Sequence, residues 1–232
     1  MNEKRLKEFW NQEYKDPTMF LLSEEVSTDL VKFCRWMLKE YGKDALRSEI
    51  SVLDAGCGNG RNLLWMNREF GINGFGYDIS DEGIRQAQTQ AAKQKYGGKL
   101  VFKVHSVGDT IPLEDESVDV VLDMMASHFL KNKEREQFIK EVARVLKPQG
   151  VLFFKSFYME RDGHTKALLA QNPSDEKNAY IHPKLGVYEY VWEDATLEES
   201  FGKDFICMKK EASHKHHIKG KPSTGVPSRC MK

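Results

Sequence analysis

The chain lacks the features that mark secreted, membrane-spanning and zinc-stabilised proteins. Its four cysteines (Cys34, Cys57, Cys207 and Cys230) are scattered without a CxxC pair, so neither a disulfide framework nor a metal site is predicted. No apolar run approaches the roughly 20 residues that span a bilayer. The opening residues MNEKRLKEFW hold no hydrophobic signal region. We therefore expect no membrane segment, no bound metal and a cytoplasmic location.

An excess of one charge is also missing from the chain as a whole, although not from its parts. The 232 residues include 35 basic and 35 acidic side chains. Residues 209–232, however, hold seven basic side chains and one acid, Glu211, so the other 208 residues carry a net charge of −6. The length favours one domain of ordinary globular composition, with an acidic body and a basic end.

The most informative stretch is VLDAGCGNGRN, residues 52–62. Aliphatic residues that suit a buried strand lead into glycines at Gly56, Gly58 and Gly60, and apolar residues then resume at helical spacing. Glycine adopts positive φ and lets a ligand approach the backbone closely. Free amide groups at the start of the following helix would attract an anionic group. The pattern predicts a strand, a tight turn and a helix with a small ligand above the turn.

Two carboxylates indicate what kind of ligand this is. Asp54 stands just before the turn, where it suits a ligand with a positive group, and Asp78 ends a second strand, GFGYDIS (74–80). A carboxylate at that strand tip can accept both hydroxyls of a ribose. A dinucleotide site would place its third glycine at the position that Arg61 occupies here. An amino-acid nucleoside therefore fits these residues better than NAD.

These motifs resemble the class I S-adenosylmethionine-dependent methyltransferases, and most nearly the broad group called methyltransferase domain type 11. The resemblance rests on DAGCGNGRN, YDIS, IPLEDESVDVVLDMMASHFL (111–130) and EVARVLKPQGVLFF (141–154), which agree in order and spacing and cover roughly residues 45–157. It implies a doubly wound α/β fold with a mostly parallel, Rossmann-like sheet. It also implies S-adenosylmethionine as the cofactor and S-adenosylhomocysteine as the product.

The resemblance also implies roles for individual residues. Asp54 would hold the methionyl amine directly or through water, and Asp78 the ribose hydroxyls, with Ile79 against the adenine. Met124 would form part of the apolar wall around the cofactor. The residues expected to line the methionine moiety follow Asp54 in the glycine turn: Ala55, Gly56, Cys57 and Gly58.

This chain departs from the family pattern at two positions. The family usually has an acid four residues before the Leu-Pro pair, where this chain has Val107. Recognition of adenine would then depend on the backbone of Val107 and Gly108, or on Asp109 after a local shift. The second departure is Gln149, where the family commonly has glycine, although Gly150 is retained.

The N-terminal segment is expected to form a helix over residues 3–15. Its apolar residues either pack on the edge of the domain or close over the cofactor. Related methyltransferases often carry a Trp/Tyr pair in this segment, and Trp10 and Tyr14 resemble that pair. A second helix is predicted from about Ser27 to Tyr41 by apolar residues at a period near 3.6.

Strands and helices alternate through the middle of the chain, which favours a doubly wound sheet with its ligands at the carboxyl ends of the strands. We predict helices over 81–98, 134–147 and 193–201, and further strands over 100–107, 118–127, 150–158, 188–192 and 204–213. The closing strand of the family is expected to be missing, short or irregular, because its segment is rich in proline and glycine.

This pattern divides the chain into four parts. Residues 1–44 form an N-terminal helical lid, 45–158 the Rossmann-like core, 159–213 an acceptor-side insertion with the end of the sheet, and 214–232 a basic, flexible tail. The tail contains His214, His216 and His217, which could bind metal or an anion, but a solvated tail is the preferred interpretation.

Residues that act on the acceptor are harder to identify, because methyl transfer from a sulfonium needs alignment more than a protein nucleophile. His128 follows the fourth strand and is the candidate base, with packing in the next turn as the alternative. Asp123 is either buried and hydrogen-bonded or in contact with the acceptor. Tyr158, His164, Tyr180 and His182 could reach the acceptor from the insertion, or lie on its surface.

The sequence therefore predicts a methyltransferase that acts on a small molecule. RNA and protein are alternative acceptors, since the basic tail is compatible with nucleic acid whereas the acidic body is not. A non-catalytic module that binds S-adenosylmethionine or S-adenosylhomocysteine is the alternative from a different class. An NAD-dependent oxidoreductase is disfavoured by Arg61. The acceptor and the oligomeric state are not encoded in these motifs.

Overall fold

A computed structural model describes residues 3–20, 22–93, 97–159, 163–212, 217–218, 221–222 and 227–231, with side chains as far as Glu211. Its helices are α1 (Glu3–Lys15), α2 (Thr28–Tyr41), α3 (Arg61–Phe70), α4 (Asp81–Lys93), α5 (Asn132–Val145), α6 (Gly163–Gln171) and α7 (Asp194–Phe201). Its strands are β1 (Ser51–Ala55), β2 (Asn73–Asp78), β3 (Leu100–Val104), β4 (Val118–Met124), β5 (Leu146–Lys155), β6 (Ala179–Ile181), β7 (Tyr188–Tyr190), β8 (Cys207–Ala212), β9 (His217–Ile218), β10 (Lys221–Pro222) and β11 (Pro227–Met231).

A seven-stranded sheet in the order β3-β2-β1-β4-β5-β11-β8 forms the centre of the molecule. Its first five strands are parallel, and β11 runs antiparallel to both of its neighbours. Alternate side chains of each strand enter two different cores. Leu53 and Val121 pack with α5 and α7 on one face, whereas Val52 and Val120 pack with α2, α3 and α4 on the other. The doubly wound, mostly parallel fold that the alternating pattern predicts is confirmed.

The predicted boundary between α5 and β5 differs from the observed one. The sequence pattern extends the helix to Lys147, but α5 ends at Val145 and β5 begins at Leu146, which pairs with Val118. The pairing register then shifts before Val120. Within this irregular stretch Gln149 has a φ of 66°, in the left-handed region that favours glycine. This explains why a glycine is common at this position in the family that the sequence resembles.

The closing strand β11 is present. It is five residues long, and its register shifts between Cys230 and Met231, so the prediction of a short or irregular strand holds and that of a missing one does not. Pro227 stands at its first position, where a missing amide does not interrupt the pairing. The expected flexible tail at 214–232 is therefore corrected for residues 227–231, which belong to the sheet. Residues 213–216, including His214 and His216, lie outside the described residues.

The insertion after β5 is held against the start of α5. Strands β6 and β7 pair antiparallel, and Tyr188 in β7 donates a hydrogen bond of 2.6 Å to Glu176. Arg135 in α5 forms an ion pair with Glu176, and its guanidinium lies 3.5 Å from the ring centre of Tyr190. These contacts fix one face of β7. On the other face, Glu189 pairs with Tyr180 of β6, which packs with Leu168 of α6.

Among the described residues, no helix is both long enough and apolar enough to cross a membrane.

Candidate functional site

The glycine turn is shaped by three residues with positive φ. Gly56, Gly58 and Gly60 have φ values of 79°, 54° and 76°. A Cβ atom on Gly56 would lie 2.3 Å from Cβ of Ala126, and one on Gly58 would lie 1.9 Å from Oη of Tyr14. Side chains are thus excluded from the turn both by backbone conformation and by close neighbours.

The amides of the turn itself are engaged within the chain, whereas the free N–H groups expected from the sequence are those at the start of α3. Gly56 and Cys57 donate to the carbonyl of Tyr77 at 2.8 and 3.0 Å. Gly58 donates to Oδ2 of Asp78 at 2.8 Å, and Gly60 to the carbonyl of Cys57 at 2.9 Å. The turn therefore offers a ligand close backbone contact and nearby carboxylates rather than a row of unpaired donors.

Asp54 is fully buried at the end of β1, and its Oδ2 atom has no hydrogen-bond partner among the described residues. Burial raises the pKa of Asp54 to about 7, and the charges of Asp78 and Asp123 raise this pKa as well, whereas Arg61 lowers it. A buried carboxyl group with an unpaired oxygen is costly unless a donor reaches it. The group is therefore suited to receive a cationic N–H donor.

Asp78 and Asp123 are buried at the tips of β2 and β4. Asp78 accepts hydrogen bonds of 2.8 Å from the amides of Gly58 and Ser80. Burial raises the pKa of Asp78, while these hydrogen bonds lower it. Burial also raises the pKa of Asp123 to about 6. Three carboxyl groups that resist ionisation thus lie at the carboxyl ends of neighbouring parallel strands.

The sequence left two interpretations of Asp123 and His128, which lie near the end of β4 and in the turn that follows it. Oδ1 of Asp123 accepts hydrogen bonds of 3.1 Å from the amides of Ala126 and Ser127, so this carboxylate caps the 3₁₀ turn at Ser127–Phe129. The buried ring of His128 lies tilted against that of Phe129 and edge-on to that of Phe157, at centroid distances of 4.0 and 5.0 Å. The packing interpretation of His128 accounts for these contacts.

The side chains of the other predicted residues lie in different surroundings. The thiol of Cys57 packs into the core with α3 and α4, and burial raises its pKa. Ala55 is likewise buried, in the opposite core. Ile79, after β2, is half-buried and donates its amide to Asp78. The sulfur of Met124 lies 3.5 Å from Nδ2 of Asn62, beside the glycine turn.

The loop after β3 contains Val107, Gly108 and Asp109, the residues considered for adenine recognition. The side chain of Val107 belongs to the core, and Gly108 packs closely against Leu130 and Glu134. Asp109 is exposed. Of the two alternatives from the sequence, the backbone at Val107 and Gly108 therefore agrees with the structure better than a carboxylate from Asp109.

Helix α1 covers the glycine turn with Trp10 and Tyr14. The hydroxyl of Tyr14 points at Gly58, and burial together with the charge of Asp78 raises the pKa of this phenol well above its usual value. Trp10 stacks on Phe20 at a centroid distance of 5.3 Å and meets Phe129 edge-on at 5.5 Å. The aromatic pair therefore bridges from the turn to the segment that contains His128.

Polar contacts that the sequence analysis missed hold this helix in place. Nδ2 and Oδ1 of Asn11 contact Asp81 and Ser80 at the start of α4, and Lys7 forms an ion pair of 2.9 Å with Asp81. The side chain of Gln86 donates to the carbonyl of Tyr14 at 2.7 Å. No local pattern marks these residues, because their partners are about 70 positions away.

Glu13 is a second residue that the sequence analysis missed. Only 2% of its surface is exposed, and its carboxylate accepts hydrogen bonds from the amides of Thr18, Met19 and Phe20 and from the Thr18 hydroxyl. These hydrogen bonds outweigh burial and lower the pKa of Glu13. The carboxylate thereby folds the loop after α1 so that Phe20 stacks on Trp10.

The residues at this edge of the sheet fit S-adenosylmethionine, the cofactor that the sequence resemblance implies. The cofactor carries a sulfonium and an ammonium, and the site has a buried acid with an unpaired oxygen beside a turn that excludes side chains. Asp54 would hold the ammonium, Asp78 the ribose hydroxyls, and Tyr14 and Trp10 would cover the bound molecule.

Comparison with known proteins gives the same assignment. Residues 53–154 match the family described as "Methyltransferase domain". Ajmaline N-methyltransferase of Rauvolfia serpentina is 32% identical over 123 residues, which is 53% of this chain and 41% of that protein. The tRNA N(3)-methylcytidine methyltransferase trm140 of Schizosaccharomyces pombe is 25% identical over 208 residues, covering 85% of this chain and 63% of that one.

A solved structure has the same fold. The SAM-dependent methyltransferase of Methanosarcina mazei superposes with a TM-score of 0.70 at 24% identity, covering 90% of this chain and 98% of that chain. The chain spans about half the length of the first curated relatives that it matches, at 41%, 52% and 47% of their lengths. Because the match runs from β1 to β5 and includes the glycine turn, residues 53–154 form a methyltransferase domain with the class I, S-adenosylmethionine-dependent type of fold.

Proposed function

We propose that this chain transfers a methyl group from S-adenosylmethionine to a small-molecule acceptor. The observation that carries the proposal is the burial of Asp54, Asp78 and Asp123 at neighbouring strand ends, where one oxygen of Asp54 and one of Asp123 have no hydrogen-bond partner among the described residues. A ligand with both a sulfonium and an ammonium supplies positive charge to these carboxyl groups. The ajmaline N-methyltransferase relative, which by its name acts on a small molecule, supports this acceptor class.

The residues of the chain would bind and align the reactants and remove solvent water from around them. When bound, S-adenosylmethionine supplies a methyl group on a positive sulfur, and the lone pair of the acceptor forms the new bond while the old bonding pair stays on sulfur. Trp10 and Tyr14 would exclude water from the cofactor, since α1 covers the turn. Such alignment and exclusion of water account for much of the catalysis in group transfers of this kind.

Calorimetry with three adenosine-containing ligands tests the cofactor assignment. We expect binding of S-adenosylmethionine and S-adenosylhomocysteine but not of NAD. Asp54→Ala and Asp78→Ala should each weaken binding at least about tenfold, because each removes a charged hydrogen-bond acceptor. Asp44→Ala, at an acid whose side chain is 86% exposed, is the matched control and should leave binding unchanged. Unchanged affinity in either site variant would remove that residue from the site.

Transfer of a labelled methyl group into fractionated cell extract tests the activity. Label in a low-mass fraction would support a small-molecule acceptor. Label in the RNA fraction would instead support the tRNA-type activity by which the trm140 relative is named, together with the basic charge of residues 209–232. Binding of S-adenosylhomocysteine without transfer to any fraction would favour a non-catalytic binding module.

A further inference from the structure

A buried acid lies on the acceptor side of the molecule, outside the cofactor site. Glu189 in β7 is 3% exposed and accepts a hydrogen bond from the hydroxyl of Tyr180 in β6. Among the described residues, no cation pairs with its carboxyl group. Burial raises the pKa of Glu189 to about 7, although the Tyr180 hydroxyl lowers it. A buried carboxyl group without a cation is unfavourable for folding, which suggests a role beyond packing.

The two faces of β7 explain where Glu189 points. Tyr188 and Tyr190 face α5, where Tyr188 bonds Glu176 and Tyr190 lies under the Arg135 guanidinium. Side chains alternate along a strand, so Glu189 faces the other way. It lies beside an apolar cluster formed by the buried residues Leu168, Tyr180 and Val191 with Phe157, Met159 and Leu169 packed against them.

This cluster is next to the edge of the sheet where the methyl group would be transferred. Phe157 follows β5, and its ring lies 5.0 Å from that of His128, in the turn that follows β4. Trp10 contacts the same turn, because its ring meets that of Phe129 edge-on. Apolar walls around one hydrogen-bonded carboxyl group are typical of a small-molecule pocket.

We infer that Glu189, oriented by Tyr180, binds the N–H group of a nitrogen acceptor and receives its proton. The inference rests on the proposed methyltransferase activity and specifies its substrate class as amines. In the transfer, the nitrogen lone pair would form the new N–CH₃ bond as the S–CH₃ bond breaks and its electron pair stays on sulfur, and the proton left on nitrogen would move to the carboxylate of Glu189. The other titratable groups on or next to the elements around Glu189 are Tyr180 and His182 at β6, His164 and Lys166 on α6, His128 in the turn after β4, and Tyr188 and Tyr190 on the opposite face of β7.

Three size-matched pools of small molecules, namely amines, carboxylic acids and phenols, provide the test. Each pool is added to the protein saturated with S-adenosylhomocysteine, and the melting temperature is measured. Transfer of labelled methyl from S-adenosylmethionine to each pool is measured in parallel. We expect amines alone to raise the melting temperature and to take up label. Glu189→Gln should abolish the thermal shift and lower kcat/KM for the best amine at least about tenfold, as expected for loss of a general base.

A purely structural role would give a different pattern. Glu189→Gln keeps the size of the side chain and its bond to Tyr180, so affinity for S-adenosylhomocysteine should stay within about twofold. In the wild type, kcat/KM for the best amine should fall at acidic pH, and Glu189→Gln should lose this dependence. Glu199→Gln, at an exposed position on α7, should behave as the wild type. An amine pool without effect, label confined to phenols or acids, or an unaltered Glu189→Gln variant would overturn the inference. Failure to bind S-adenosylhomocysteine would instead refute the proposed function.

Discussion

At the scale of single residues, Asp54 is the group whose ionisation should control the cofactor site. Its pKa near 7 in the ligand-free protein means that the carboxyl group is largely protonated below that pH. An ammonium bound to it favours the charged form and would lower the pKa again. Ligand binding and loss of a proton are therefore coupled at this residue.

This coupling predicts a pH-dependent affinity. We expect the affinity for S-adenosylhomocysteine to rise by up to about tenfold per pH unit between pH 5 and 7, because the protein must release the Asp54 proton. Calorimetry across this range measures the slope. Asp54→Asn should bind weakly with a flatter profile, and an equally steep profile in that variant would assign the coupling to Asp78 or Asp123.

The same raised pKa predicts that Asp54 destabilises the protein when no ligand is bound. A carboxyl pKa above its unfolded value of 3.8 means that the folded state holds the proton more tightly, so stability is lost as the pH rises from about 4 to about 7. Asp54→Asn should therefore raise the free energy of unfolding at pH 8 by up to about 4 kcal/mol, because the pKa is raised from 3.8 to about 7 and each pKa unit represents ~1.4 kcal/mol.

Denaturant unfolding of the ligand-free protein at pH 4.5 and pH 8 measures this difference. The two proteins should be nearly equal in stability at the lower pH and differ at the higher one. A variant that is less stable than the wild type at pH 8 would contradict the argument. Residues that improve binding at the expense of stability are common in functional sites.

Single residues also show what the sequence could predict and what it could not. The glycines, Asp54 and Asp78 could be identified because their spacing is set by one strand, one turn and one helix. Neither the inward orientation of the Cys57 thiol nor the pairing of Glu189 with Tyr180 could, because each depends on contacts made only in the folded chain. A buried glutamate in YEYVW looks like any exposed polar position of an alternating strand.

At the scale of elements, helix α1 and the loop after it form one unit, and Glu13 connects the two. The carboxylate of Glu13 holds the amides of residues 18–20, and Phe20 in turn supports Trp10. An amphipathic helix was predictable from Leu6, Phe9 and Trp10, but its docking on α4 was not, since that depends on Asn11 and Lys7.

Removing the charge of Glu13 should loosen this unit. We expect Glu13→Gln to weaken binding of S-adenosylhomocysteine about three- to tenfold, since one charged acceptor of several hydrogen bonds contributes about 1.5–3 kcal/mol and only part of that reaches the ligand. Calorimetry gives the affinity, and hydrogen exchange at residues 18–20 reports the loop directly.

Glu8→Gln is the matched control, because Glu8 lies on the same helix with its side chain 65% exposed. It should change neither the affinity nor the exchange. Faster exchange at residues 18–20 with unchanged affinity would mean that the loop and the cofactor site are independent.

At the scale of the whole molecule, a buried ion pair joins the N-terminal segment to the sheet. Nζ of Lys155, at the end of β5, lies 2.7 Å from Oδ2 of Asp29 in α2, and the two side chains are 10% and 9% exposed. Removing one partner of such a pair leaves the other charge buried and uncompensated.

Lys155→Met should therefore lower the free energy of unfolding by about 3–5 kcal/mol. The double variant Asp29→Asn with Lys155→Met should recover much of this loss, because no charge is left buried. Lys32→Met, at a lysine 53% exposed that also pairs with Asp29, should cost no more than about 1 kcal/mol. Urea unfolding of the four proteins measures these values, and equal losses for Lys155→Met and Lys32→Met would contradict the argument.

The position of β11 between β5 and β8 has a consequence for synthesis on the ribosome. β8 is translated first, yet among the described strands it pairs with β11 alone. Until β11 emerges, β5 carries an open strand edge and β8 has no place in the sheet. Open edges invite pairing with other polypeptides. The nascent protein therefore passes through a five-stranded stage that is prone to aggregation. This stage ends when β11 pairs with β5 and β8.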